Sequence, residues 1–240
     1  MAELGLVAEE AIAEFEALRR LIGFVESAQD DGRALPAQPR LVASNASLLF
    51  IAAAFEEAVR QLGHAYAQQL AEKAEIPADR LRAIRMGLWE KAAHQLSSKP
   101  LGTRNFDDEL ARKSISILQD FCLDLRNVEL MIDSAVYHSR NLRSDEVNAL
   151  FKRLGVSDVC ARVGRSVEYR NFFLVPSVAR AQGEFTRFLN SFYEARNTAT
   201  HDLGVFRAMG AVDVIRYVDF FQIAVSRLQL VLEADLASIP

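Results

Sequence analysis

Residues that break regular structure are scarce, with six prolines and eleven glycines in 240 residues. Because proline and glycine mark turns and loops, so low a content argues against long linkers. Alanine, leucine, glutamate and arginine, which favour helices, are frequent. Half of the residues are hydrophobic and a quarter are charged, enough for one well-buried core with an elaborated arm. We therefore expect a helical protein with a single domain over residues 1–240.

Cysteine and histidine are also rare, which bears on metal and redox chemistry. The two cysteines, Cys122 and Cys160, lack the spacing of a metal site and are expected to be reduced thiols. Three of the four histidines, His64, His94 and His138, fall on separate predicted elements and suggest no metal cluster. The chain also has no glycine-rich phosphate loop and no serine-centred nucleophile elbow. We expect neither a metal nor a cofactor.

Positive charge is not in excess, since the net charge is −4 and the pI about 5.7. This charge gives no support to coating of nucleic acid through bulk charge, while a small local basic site is compatible with it. The most apolar run, 48–55, is too short to cross a bilayer. Residues 1–4 are not basic and lead into an amphipathic helix, unlike a signal peptide. These features predict a soluble, cytoplasmic protein without membrane association.

Apolar stripes at helical spacing predict four core helices, at 2–28, 41–74, 178–201 and 212–236. The last is apolar on almost every side, so it needs neighbours from its own bundle or from a second chain. Pro36 and Pro39 predict a loop before the second helix.

Residues 77–176 are predicted to elaborate this core with additional helices and an irregular arm at 156–176. The arm interleaves basic and aromatic side chains, a pattern that could hold a single-stranded base or a phosphate. The alternative, which we favour, is that the aromatic rings pack into the core. The side chains concerned are Arg162, Arg165, Tyr169, Arg170, Phe172 and Phe173.

The strongest functional signal is the stretch Tyr-Glu-Ala-Arg-Asn-Thr-Ala-Thr-His-Asp at 193–202. Arg196 is a permanent cation whose donors suit phosphate oxygens, and His201 can act as a general base or acid near neutral pH. Such a pair is a plausible minimum for RNA cleavage without a metal. Arg-Asn occurs five times in the chain, but only here does His follow the arginine by five residues. The competing interpretation is a helix C-terminus whose dipole favours a cation and a histidine.

The spacing of the pair constrains how it works. Positions five apart in a regular helix differ by about 140° in azimuth, so Arg196 and His201 of one chain point in different directions. They converge only if the helix ends near Thr198 or if a second copy supplies the partner group. Thr198 and Thr200 are β-branched and weak in helices, which allows an ending there.

Three stretches resemble the HEPN superfamily, and more narrowly its RiboL-PSP-HEPN type. They are an apolar helix ending in an acid at 48–56, the segment 144–156, and Arg-Asn-Thr-Ala-Thr-His at 196–201 with the helix that follows. Their order and spacing cover nearly the whole chain. The resemblance implies an all-α bundle that forms a homodimer with the two motifs facing one another.

The resemblance also implies metal-independent endoribonuclease activity, typical of toxins in toxin–antitoxin or phage-defence systems, with RNA as substrate and an antitoxin protein as a further partner. If the roles of the family's motif are assigned by position to this chain, Arg196 contacts the scissile phosphate and His201 is the acid/base group. Asn197 is the polar residue that follows the arginine. The alternative is a non-catalytic HEPN domain that binds RNA or a nucleotide, or serves as a scaffold. A weaker alternative is a purely helical oligomerisation protein.

Further candidate substrate contacts are Glu194, Thr200, Asp202 and Glu56. Relatives often have a small apolar residue before the histidine and glycine after it, where this chain has Thr200 and Asp202. Asp202 could orient the imidazole and raise its pKa, or it could repel RNA. One of Glu56 and Glu57 could point inward near the active groups, although a solvated face is the more common position of a glutamate.

Overall fold

The computed structural model describes residues 2–27, 37–73, 75–98, 108–123, 132, 135–138, 141–201 and 209–240, and most of these residues are helical. At 2, 26–27, 37–40, 120–123 and 201 it describes the backbone only. Nine helices have described bounds: α1 (Ala2–Ser27), α2 (Ala37–Ala71), α3 (Ala78–Ser98), α4 (Asp108–Leu123), α5 (Ser144–Lys152), α6 (Val159–Gly164), α7 (Val167–Phe172), α8 (Val178–His201) and α9 (Ala211–Ala237). These ranges contain no strand, and the predicted all-α fold is confirmed.

The core is a bundle of α1, α2, α8 and α9. Helices α1, α2 and α9 pack against one another and α8 packs against α2, while large rings join α8 to α9. Phe55, Phe192 and Phe221 meet at the centre, with ring centroids 4.5 and 4.6 Å from that of Phe221. All three are 3% exposed or less, so each contributes most of its side-chain area to the core.

The directions of the helices bring four of their ends together. Helix α2 runs parallel to α9, because Phe55 contacts Phe221 and the Tyr66 hydroxyl donates to Asp235 at 2.7 Å. Helix α8 runs antiparallel to α9, since Phe185 stacks on Phe220 while Phe192 meets Tyr217 edge to face. Helix α1 is antiparallel to α9 as well, with Arg19 paired to Asp219. The ends of α1 and α8 and the beginnings of α2 and α9 therefore share one end of the bundle, the motif end.

Residues 156–176 are not the irregular arm that the sequence predicted. They form α6 and α7, two helices of six residues each, which are too short to display an apolar stripe. Tyr169 is fully buried and its hydroxyl donates to the Phe220 carbonyl oxygen at 2.8 Å. Arg162 pairs with Asp235 at 3.4 Å and Arg165 donates to Gln182 at 2.7 Å. The prediction that the aromatic rings pack into the core is confirmed.

Helix α2 begins at Ala37, so Pro39 lies inside its first turn and the predicted loop at this residue is wrong. Proline is tolerated there because the first N–H groups of a helix have no intrahelical acceptor. By length and composition, 41–71 is the one described helical segment that could cross a membrane. Within this fold it packs against α1, α8 and α9, as the central helix of a bundle does.

Candidate functional site

The motif helix α8 continues through Thr198 and Thr200 and does not end near Thr198. The Thr198 hydroxyl donates to the Glu194 carbonyl at 3.0 Å, and the Thr200 hydroxyl donates to the Arg196 carbonyl at 2.9 Å. Such bonds to the residue four positions earlier are compatible with a continuing helix. The Cα atoms of Arg196 and His201 are therefore about 140° apart around the helix axis. The His201 side chain and Asp202 lie outside the described residues.

Arg196 is half-buried at the motif end, and Nη1 is the one donor of its guanidinium with a described hydrogen bond. Its Nη1 donates to Asn197 Oδ1 at 3.3 Å, and the Asn141 side-chain amide donates to the same oxygen at 2.9 Å. Its Nε is buried with no hydrogen-bond partner among the described residues. Arg80 and Arg227 differ from Arg196 in that each forms an ion pair with a carboxylate. Arg196 has no such ion pair in the described part of the chain, so its charge is free to meet an anion.

Two further buried polar groups lie beside Arg196, where α2 meets α8. Glu56 Oε1 and the Tyr193 hydroxyl are both buried, and the hydroxyl lies close enough to the Glu56 carboxylate and to the Leu142 backbone N–H for both to act on it. Burial raises the pKa of Tyr193 well above its usual value; the Glu56 carboxylate raises it further, and Arg196 opposes the rise. These electrostatic effects place Glu56, Tyr193 and Arg196 near one another. Together with Asn141 and Asn197 they form what we call the Arg196 cluster.

The two neighbouring glutamates of α2 have different environments. Glu56 faces the cluster, while Glu57 is exposed and accepts hydrogen bonds from Arg60 Nε at 2.9 Å and from Gln61 at 2.7 Å. The pKa of Glu57 is lowered, first by the bond from Arg60. One glutamate thus points inward, as the sequence allowed, and it is Glu56.

Glu194 and Thr200, the other candidate contacts on α8, are exposed. The Glu194 carboxylate lies 3.7 Å from Arg143, and the Thr200 hydroxyl bonds its own helix. No described contact joins either side chain to the Arg196 guanidinium. Of the seven site residues suggested by the sequence, Arg196, Asn197 and Glu56 come together.

Sequence reasoning missed Tyr193 and Asn141. Tyr193 lies three residues before Arg196, so helical spacing could have placed both on one face. Asn141 has no such signal, because its contact with Asn197 spans 56 residues of chain.

The cluster combines the Arg196 cation with a buried carboxylate, a buried phenol and two side-chain amides. Arginine presents donors that match phosphate oxygens, and its charge is effectively permanent. The described part of the chain contains no group of three or more His, Cys, Asp or Glu side chains placed to hold a metal ion. The arrangement is suited to binding an anion such as a phosphodiester.

The fold and the site together define a class of protein. Its members are all-α bundles that carry Arg-Asn-x3-His at the end of a core helix. The family model RiboL-PSP-HEPN matches residues 13–234, nearly the whole chain, and the chain belongs to this family. HEPN domains are nucleotide-binding or RNase-type domains, which sets the broad class of function. No curated protein and no solved structure gives a significant match.

Proposed function

We propose that the protein is a metal-independent endoribonuclease that acts as a homodimer. The observation that carries the proposal is Arg196, half-buried beside a polar cluster with its charge unpaired among the described residues. An arginine held in this way supplies a phosphate-binding cation, and the histidine of the same motif on the partner's copy would supply the proton acceptor.

In the proposed reaction an RNA phosphodiester binds with its non-bridging oxygens on Arg196. The His201 imidazole takes the proton of the 2′-hydroxyl, and the 2′-oxygen attacks phosphorus. The charge that grows on the phosphoryl oxygens is stabilised by the guanidinium. The bond from phosphorus to the 5′-oxygen then breaks, that oxygen takes a proton from water while His201 returns its own to water, and the products are a 2′,3′-cyclic phosphate and a 5′-hydroxyl.

Two features of the motif end support a dimer. The continuity of α8 separates Arg196 from His201 of the same chain by about 140°, so a partner's motif is the better source of the second group. The same end exposes apolar side chains that a second copy would cover: Val212 is 81% exposed, Val42 62% and Phe50 58%. Exposed apolar side chains of this kind are what an interface between two copies would bury.

The direct test is to incubate total RNA with purified protein in excess EDTA. We expect RNA fragments ending in 2′,3′-cyclic phosphate from the wild type, and loss of cleavage by about 10²–10⁴-fold in both Arg196→Ala and His201→Ala. Arg187→Ala is a matched control, since Arg187 is an exposed arginine of α8 that pairs with Glu184. Circular dichroism should show all variants folded. Full cleavage by either site variant would remove the mechanism.

The biological setting that we propose is a toxin or phage-defence system in the cytoplasm, with an antitoxin protein as an additional partner. Expression in a bacterial host should then arrest growth, and His201→Ala should relieve the arrest. Equal arrest by both proteins would argue against cleavage as its cause.

The second candidate is a non-catalytic domain that binds RNA or a nucleotide, or serves as a scaffold. The net charge of −4 and the buried Glu56 carboxylate favour it, because both oppose extended contact with a polyanion. It predicts retention of a labelled oligonucleotide or nucleotide on the protein, with RNA left intact.

A further inference from the structure

A guanidinium group lies over two aromatic rings in the half of the bundle that leads to the motif end. Arg216, in the second turn of α9, places its guanidinium carbon 5.5 Å from the centre of the Phe172 ring and 5.4 Å from that of Phe188. The two rings stand almost at right angles, with an interplanar angle of 81° and centroids 5.7 Å apart. Arg216 therefore lies in a corner formed by the last residue of α7 and the middle of α8.

The two rings hold the Arg216 side chain without neutralising its charge. Arg216 is exposed, and no hydrogen bond or ion pair joins it to another residue in the described part of the chain. Arg187 of α8 is different, because it pairs with Glu184. A guanidinium stacked on aromatic faces keeps the donors at its edge, and its restricted side chain loses less entropy when those donors bind an anion.

Arg216 and Arg196 belong to the same half of the bundle, since α9 begins and α8 ends at the motif end. Phe188 precedes Arg196 by eight positions on the continuous helix α8, about 12 Å along the axis and about 80° around it. Tyr217, the residue after Arg216, meets Phe192 edge to face with ring centroids 4.9 Å apart. An RNA strand with one phosphate on Arg196 therefore has Arg216 within the length of a short oligonucleotide.

The geometry points to Arg216 as a second phosphate-binding residue of the RNA site, one that holds the substrate strand away from the bond that is cut. This inference rests on the proposed ribonuclease function. Proteins that bind single strands combine positive charge along the backbone with aromatic side chains, and Arg216 with its two rings provides both. Arg216 makes no contact with the reacting atoms, so it contributes to the affinity for long substrates and not to the chemical step.

The first test measures binding of a labelled oligoribonucleotide by fluorescence anisotropy. The full-length protein carries His201→Ala so that the strand stays intact. In this background Arg216→Gln should weaken binding about tenfold, and should make the slope of log affinity against log salt shallower by about 0.7, the contribution of one phosphate contact to a single strand. Arg216→Lys keeps the charge and should retain the slope. Arg112→Gln is the matched control, at an exposed arginine of α4 paired with Asp108, and should change neither quantity.

The second test uses cleavage to separate a phosphate contact from a packing role. In protein with His201 intact, Arg216→Gln should raise KM for an RNA of about 20 nucleotides about tenfold and leave kcat within about twofold. It should leave kcat/KM for a dinucleoside monophosphate unchanged, because that substrate has a single phosphate, which Arg196 binds.

The outcomes separate the inference from the function beneath it. Equal loss of activity on both substrates would mean that Arg216 only covers the two rings, and would overturn the inference while the ribonuclease stands. An unchanged salt slope in Arg216→Gln would overturn it in the same way. If the protein binds RNA without cutting it, the ribonuclease proposal fails, and the salt slope still decides whether Arg216 holds a phosphate. Absence of both RNA binding and cleavage in the parent protein would overturn the two proposals together.

Discussion

Two inactive variants should restore each other's activity if the site is shared between protomers. Helix α8 continues through His201, so Arg196 and His201 of one chain are about 140° apart and each site is expected to combine Arg196 of one protomer with His201 of the other. In a heterodimer of Arg196→Ala with His201→Ala, one site then holds both native groups and the other holds neither. Such a heterodimer should show about half of the wild-type rate per dimer.

The contrast with the parent variants is large enough to measure. Each parent homodimer should retain at most about 1% of the wild-type rate, so the heterodimer should exceed either by about 50-fold. Co-expression with two different affinity tags and purification over both columns isolates it, and cleavage of a fluorescent oligoribonucleotide gives the rate. A heterodimer of Arg196→Ala with the double variant has no intact site and serves as the control. A heterodimer no more active than its parents, or no recoverable heterodimer, would refute the shared site.

Two further predictions concern stability. Tyr169→Phe should lower the free energy of unfolding by about 1 kcal/mol, because it removes the bond to the Phe220 carbonyl. Tyr193→Phe removes a buried hydroxyl that lies against the Glu56 carboxylate and the Leu142 backbone N–H, so it should also lower the free energy of unfolding, by about 1–3 kcal/mol. Urea denaturation of both variants measures the two losses, and an unchanged stability of Tyr193→Phe would contradict the contact with Glu56. Burial, and then Arg153, lowers the pKa of Lys91 from 10.5 to about 6. Between these two values the unfolded chain binds a proton that the folded chain does not, so this residue makes stability rise with pH. Lys91→Met should flatten that rise in urea titrations from pH 6 to 10, whereas an unchanged slope would contradict the buried position of the amine.

Much of the fold followed from local patterns. The stripes of α1, α2, α8 and α9 predicted helices close to their observed bounds, because a helix of several turns repeats its apolar positions often enough to be recognised. Helices α6 and α7 have fewer than two turns each and could not be recognised in this way. Their stability comes from Tyr169 and its neighbours packing against α8 and α9, a tertiary effect that outweighs weak local preference.

For the candidate site, too, some features could be predicted from local sequence and others depended on tertiary packing. The sequence by itself determined which residue types are available, an arginine, an asparagine and a histidine at fixed spacing on one helix, together with the family to which they point. Only the tertiary structure decided that the helix continues past Thr198, that Glu56 rather than Glu57 turns inward, and that Asn141 reaches Asn197. The physical reason is that azimuth along one helix is fixed by its period, whereas contacts between distant segments depend on how helices pack and which side chains they bury.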